Sequence, residues 1–118
     1  MTYSYQRYCI STATENGTNV VLTLNGTPNL TNGAKIVLRF KEGTPYVASA
    51  LPVVVSIGGT DYPLLNRFGN PMTGSDLKPS TMTNTYCPRV NYLTYYGSST
   101  PHLIAHNYPF ANCSYYAC

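Results

Sequence analysis

The segment LPVVVSIGGTDYPLL, residues 51–65, begins with the most apolar run of the 118-residue sequence, Leu51–Ile57. Strand-forming residues flank Gly58 and Gly59, and a two-glycine turn between such runs is typical of a β-hairpin. Long helices are disfavoured elsewhere, because nine glycines and nine prolines punctuate the chain. In a helix interior these residues cost about 1 and about 3 kcal/mol relative to Ala. The sequence therefore predicts an all-β protein.

Further strands are predicted where apolar residues are β-branched or alternate with polar ones. These segments are an opening strand or arm within residues 1–10, Val20–Leu24, Lys35–Phe40, and a second hairpin made of Val90–Tyr96 and His102–His106. The polar segment Ser11–Asn19 and the Gly- and Pro-rich segment Asn66–Thr81 are expected to be connections.

The number and spacing of these strands favour one domain, residues 1–108, built as an antiparallel β-sandwich or jelly-roll-like fold. An uncharged aromatic tail follows at residues 109–118. Such a tail would be an exposed apolar patch if it stood alone, so it is interpreted as a docking segment.

Charge and hydropathy exclude several classes of partner. Only 9% of the residues are charged, against roughly a quarter in ordinary domains. The basic residues are scattered, which argues against a nucleic-acid partner. No apolar run approaches the roughly 18 residues of a membrane span. The first residues, MTYSYQR, lack the apolar centre of a secretion signal, so we expect synthesis in a cytoplasm and release by lysis.

The residues suited to chemistry are few. The four cysteines, Cys9, Cys87, Cys113 and Cys118, have neither CxxC spacing nor a zinc pattern with the two histidines. No metal or cofactor is expected, and the cysteines are either disulfide-bonded, with unassigned pairing, or free. The sequence contains no common catalytic motif, so no enzymatic activity is predicted. The alternative is a Cys–His or Ser–His dyad at His102 or His106.

Tyrosine is the one compositional excess, with 12 residues. Its large rigid ring is common in binding surfaces, since little entropy is lost when it is ordered. Contacts with a glycan or a partner are predicted for Tyr92, Tyr95, Tyr96 and His102. Docking contacts are predicted for Tyr108, Phe110, Tyr115 and Tyr116. The alternative is that about half of the tyrosines pack within the protein or between copies of it.

The order of these segments resembles a module of bacteriophage tail-fibre and tail-tip proteins. The resemblance covers about residues 8–104, running from YCISTA at 8–13 and LTNGAKIVLRF at 30–40, through the hairpin, YPL at 62–64 and GNP at 69–71, to LTYYGSSTPHLI at 93–104. Two departures affect the closing hairpin. His102 stands where the module has Trp, and a polar, Pro-containing insertion at Ser80–Arg89 carries Cys87.

The resemblance implies a structural virion protein, a homotrimeric β-sandwich that binds other virion proteins. Because the module forms nearly the whole chain, it implies an accessory component that docks on a larger assembly through residues 1–10 or 109–118. It would contact glycans on the host surface. A capsid decoration or head-fibre protein is the alternative within this class, and a stand-alone carbohydrate-binding module is the alternative from another class.

Overall fold

The computed structural model describes residues 6–40, 47–77 and 92–106. These residues form seven β-strands and one short 3-10 helix. In chain order they are β1 (Gln6–Glu15), β2 (Val20–Leu24), β3 (Lys35–Phe40), β4 (Val53–Ile57), β5 (Thr60–Leu65), η1 (Gly74–Leu77), β6 (Tyr92–Tyr96) and β7 (His102–His106). The described ranges contain no α-helix, and the prediction of an all-β protein is confirmed.

The seven strands form one closed barrel in the order β1-β2-β4-β5-β7-β6-β3, with β3 returning to β1. Three antiparallel pairs, β1–β2, β4–β5 and β6–β7, follow one another around the wall. The β2–β4 and β5–β7 junctions between them are parallel. Strand β3 closes the barrel, because it pairs in parallel with β1 and antiparallel with β6.

The expected antiparallel β-sandwich or jelly-roll fold is therefore wrong. A strand in a sandwich and a strand in a barrel both direct alternate side chains to a core, so alternation does not distinguish the two. The alternation of apolar and polar residues also does not predict which strands pair in parallel, as β1–β3, β2–β4 and β5–β7 do. Each strand finds both neighbours within one chain. The sheet needs no second copy to close, and the expected trimer has no support in the structure.

Strand β1 is longer than predicted, because it includes Ser11–Glu15, which the sequence suggested was a connection. Residues Gln6–Ile10 pair with β3, and residues Ile10–Glu15 pair with β2. The register with β2 shifts between Ile10 and Thr12, and the Ser11 hydroxyl donates a hydrogen bond to the Thr23 carbonyl over 3.2 Å. Such a bulge bends a strand and increases its twist, which lets one strand serve two neighbours.

The barrel interior is filled by apolar side chains, as is usual for small barrels. In β2, Val20, Leu22 and Leu24 are buried while the residues between them are partly exposed. The largest fully buried side chains are Ile10, Leu22, Ile36, Leu38, Leu64, Met72, Leu93, Leu103, Val20, Val53 and Val55. These residues come from every strand and from the segment before η1, so the core is continuous.

The predicted hairpin at residues 51–65 is confirmed as β4–β5. Gly58 and Gly59 have φ angles of 59° and 86°. A two-residue turn with two positive φ angles matches the right-handed twist of the flanking strands, and glycine adopts both without steric cost. The predicted bounds of β2, β3 and β7 are also confirmed.

Several predicted features lie outside the described residues. They are the arm before Gln6, the start of the last hairpin at 90–91, the tail at 109–118, Cys87, Cys113 and Cys118, and the docking residues Tyr108, Phe110, Tyr115 and Tyr116. Cys9 lies in β1 and is disulfide-bonded. Since Cys9 is the only cysteine within the described ranges, this observation favours the disulfide alternative for the chain.

Unfolding the protein without reductant is expected to expose no more than two reactive thiols, because Cys9 and a second cysteine are joined. Cys9→Ser should lower the free energy of unfolding by about 4 to 5 kcal/mol, since every available partner closes a loop of about 80 to 110 residues. Intact mass after alkylation gives the number of reactive thiols, and urea unfolding of each protein gives the change in the free energy of unfolding. Four alkylated thiols in unreduced protein would contradict the bridge. Reduced wild-type protein, the matched control, should be no more stable than reduced Cys9→Ser.

Candidate functional site

The β6–β7 hairpin places two aromatic side chains together on the outer wall of the barrel. Tyr96 and His102 face each other in the antiparallel register. Their neighbours Tyr95 and Leu103 are buried in the core, so the alternation of side chains directs Tyr96 and His102 outward. Their rings are stacked, with centroids 5.6 Å apart and planes 23° apart. Cross-strand aromatic pairs of this kind stabilise a hairpin end.

The loop between these strands fixes the orientation of His102. Its Nδ1 lies 2.8 Å from the Thr100 carbonyl oxygen. Since a carbonyl only accepts hydrogen bonds, Nδ1 carries the hydrogen in this contact. The Ser98 hydroxyl also donates to the Thr100 carbonyl over 3.0 Å and accepts from the Thr100 amide over 3.3 Å. The loop is thus folded around one backbone carbonyl.

The connection before β3 brings an amide side chain to the same place. Gly33 N donates to the Tyr95 carbonyl over 2.8 Å, and Tyr95 N donates to the Ala34 carbonyl over 2.9 Å. These bonds extend the β3–β6 pairing to Gly33 and Ala34, the two residues that precede β3. Gly97 N then donates to Asn32 Oδ1 over 3.0 Å, which holds the Asn32 amide beside the aromatic pair.

These groups surround an open depression of about 440 Å³, lined by Asn32, Tyr96, Gly97, Ser98, His102 and Ile104. The volume lies within the range of roughly 300–1,000 Å³ found for small-ligand sites. The lining is mainly apolar, and none of the six residues is an Asp, Glu, Lys or Arg. An aromatic surface with a few oriented polar atoms is suited to binding a polar, uncharged molecule.

The predicted contact residues occupy three different environments. Tyr96 and His102 line the depression. Tyr95 is only 8% exposed and packs edge-to-face against Tyr62, with ring centroids 5.7 Å apart. Tyr95 is therefore a core residue. Tyr92 lies on the outer wall opposite His106, four residues from Tyr96 and hence about 13 Å away along the strand. Two of the four residues are therefore brought together.

Asn32 and Ser98 were not predicted as site residues. Asn32 and Gly33 form a turn signal, which indicates local structure only. Asn32 meets Gly97 across 65 positions of sequence, and this proximity depends on the β3–β6 pairing. Ser98 is one of several small polar residues in its loop, and nothing in its local sequence distinguishes it.

An exposed aromatic residue lies on a different loop. Phe68 is 74% exposed, and the Arg67 guanidinium carbon is 4.9 Å from its ring centroid. The turn is held by Asn66 Oδ1, which accepts hydrogen bonds from Phe68 N over 2.9 Å and Asn70 N over 3.1 Å. Phe68 does not line the depression, so it provides a matched control for substitutions of Tyr96.

A second polar cluster lies on the outer wall between β3, β6 and β7. Lys35 Nζ donates to Thr94 Oγ1 over 3.0 Å, and Thr94 Oγ1 is 2.7 Å from His106 Nε2. A hydroxyl between an amine and an imidazole resembles an activated nucleophile. Thr94, however, is only 1% exposed, so a substrate cannot reach it. The cluster joins three strands, and His106 contacts a different partner from His102.

Within the described ranges, no group of three or more His, Cys, Asp or Glu side chains could hold a metal ion. No helix in those ranges is long and apolar enough to cross a bilayer. No protein-family model matches the chain, and neither the curated proteins nor the solved structures contain a match.

The Thr94 cluster predicts a measurable coupling between strands. Thr94→Val removes the hydroxyl while keeping the side-chain shape, and Lys35→Met removes the ammonium while keeping the apolar stem. In a double-mutant cycle followed by urea unfolding, the two substitutions should be coupled by about 0.5–1.5 kcal/mol, the usual net value of a hydrogen bond. Purely additive effects would contradict a stabilising role for this contact.

Proposed function

We propose that the chain is a structural protein displayed on the surface of a bacteriophage virion, where it contacts host-surface glycans through the depression beside Tyr96 and His102. The observation that carries the glycan contact is this stacked pair, held next to the Asn32 amide on the outer wall. The virion setting rests on the tail-fibre-like order of motifs over about residues 8–104. It does not rest on the fold, since the barrel replaces the implied sandwich.

The open shape of the depression supports a sugar ligand. A sugar presents C–H groups that pack against aromatic rings as other apolar surfaces do, while its hydroxyls both donate and accept hydrogen bonds. The depression offers both kinds of surface and is open to one side on the barrel wall. The proposed activity is binding, with no chemical step.

The proposal places the protein on a tail fibre or tail tip, attached to other virion proteins through residues 109–118. Particles of the phage that encodes the chain can be purified on a gradient and labelled with antibody against the recombinant protein. We expect the antigen to sediment with intact particles and the gold label to lie at the tail. Label on the head would contradict the tail position and support a capsid decoration or head-fibre protein. Antigen found only in particle-free fractions would contradict a virion protein and support a stand-alone carbohydrate-binding module.

Competition for host cells tests the glycan contact separately. Recombinant wild-type protein should reduce adsorption of the phage to its host, because it occupies the same receptors. Tyr96→Ala should lose this effect, since it removes the exposed aromatic surface. Phe68→Ala, which removes an exposed aromatic residue elsewhere, should retain it. Equal competition by Tyr96→Ala and the wild type would contradict binding at the depression.

A further inference from the structure

We propose that the depression selects neutral sugars over acidic ones, with His102 Nε2 accepting a hydrogen bond from one sugar hydroxyl and Asn32 Nδ2 donating to another sugar oxygen. This inference rests on the proposed glycan contact and adds the chemical class of the ligand. It follows from the hydrogen bonds that already occupy the other polar atoms of the site.

The contact of His102 with the loop determines which ring nitrogen is available. Nδ1 donates to the Thr100 carbonyl over 2.8 Å. In a neutral imidazole one nitrogen donates and the other accepts, so Nε2 is the acceptor. No described residue forms a hydrogen bond with Nε2. The ring therefore offers an acceptor to a ligand hydroxyl while it remains stacked on Tyr96.

The Asn32 amide is oriented in the same way. Its Oδ1 accepts a hydrogen bond from Gly97 N over 3.0 Å, which leaves the Nδ2 group with two donor hydrogens. Among the described residues, none accepts from Nδ2. The site thus combines one donor group and one acceptor, and a sugar hydroxyl can pair with either.

The charges around the depression disfavour an acidic sugar. Proteins bind carboxylates mainly through Arg or Lys, and none of the described residues that line the depression is an Arg or a Lys. Lys35, on the adjacent strand β3, does not line the depression, and its ammonium donates a hydrogen bond to Thr94 Oγ1 over 3.0 Å. A sugar carboxylate turned toward the apolar lining of the depression would lose part of its hydration there and would gain no cation from the described lining residues, which is costly for a charged group. A neutral hydroxymethyl group carries no such cost.

The polar atoms of the site are held in place before a ligand binds. The Thr100 carbonyl accepts from both Ser98 Oγ and His102 Nδ1, and Asn32 is bonded to the backbone of Gly97. Ordering of these side chains therefore occurs on folding, and less entropy is lost on binding.

Pairs of sugars that differ only at C6 provide the sharpest test. Full-length, disulfide-intact protein is titrated at pH 7.5 and constant ionic strength with the methyl glycosides of glucose, galactose and mannose, each compared with the methyl glycoside of its uronic acid. Two-dimensional ¹H–¹⁵N spectra follow the Gly97 amide and the Asn32 side-chain amide. We expect at least one neutral glycoside to shift both signals and its uronic acid to bind at least about tenfold more weakly, a difference of about 1.4 kcal/mol.

Two matched variants test the assigned atoms. Asn32→Asp keeps an oxygen for Gly97 N but puts a carboxylate oxygen, which cannot donate, in place of Nδ2. His102→Phe keeps an aromatic ring beside Tyr96 but removes Nε2 together with Nδ1 and its bond to the Thr100 carbonyl. Each should weaken binding of the neutral glycoside about tenfold, whereas Phe68→Ala should leave it unchanged. The spectra of the free variants report whether each remains folded. Unchanged affinity in folded Asn32→Asp and folded His102→Phe would overturn the assignment.

The outcomes separate this inference from the proposed function. A uronic acid that binds as tightly as its neutral partner, with binding lost in Tyr96→Ala, would overturn the selectivity and leave the glycan contact standing. If no sugar of either class shifts the two amide signals, the inference fails. The adsorption experiment then decides whether the glycan contact fails with it.

Discussion

The double pairing of β1 is the constraint on which the rest of the structure depends. Its first half pairs with β3 and its second half with β2, with the register shift at Ser11 between them. Without the β1–β3 pairing, the same strands would form an open sheet with exposed edges. With it, β3 lies between β1 and β6, and the backbone just before β3 pairs with Tyr95. The pairing that closes the barrel thus also positions Asn32 at the depression.

The candidate site gains its geometry from backbone groups rather than from long side chains. Tyr96 and His102 lie at the ends of paired strands, and the Thr100 carbonyl and the Gly97 amide orient the polar groups around them. Sites built on strand ends and supported by such contacts are held more rigidly than sites on free loops. The Thr94 cluster adds a side-chain connection between β3, β6 and β7 on the same wall. The site and the fold therefore share their supporting interactions.

The sequence predicted most strands because their signals are local. Alternation identified Lys35–Phe40, and the turn at Gly58 and Gly59 identified the central hairpin. The polar stretch Ser11–Glu15 was missed because a strand with a solvated face and a bulge has little apolar character. Local sequence patterns could not predict barrel closure or the approach of Asn32 to Gly97, because both depend on which distant strands become neighbours. Tyr95 and Tyr96 were grouped as contact residues although adjacent strand residues face opposite sides; the burial of Leu93 and Tyr95 on one face separates them.

Closure of the barrel by β3 is the central claim, and backbone nuclear Overhauser effects test it most directly. The account predicts that a single sample of the folded protein shows cross-strand contacts from β3 to both neighbours, around Tyr8 and Leu38 on the parallel β1 side and around Ile36 and Leu93 on the antiparallel β6 side. Contacts to only one of these strands, with the other side of β3 free, would indicate an open sheet and contradict the barrel.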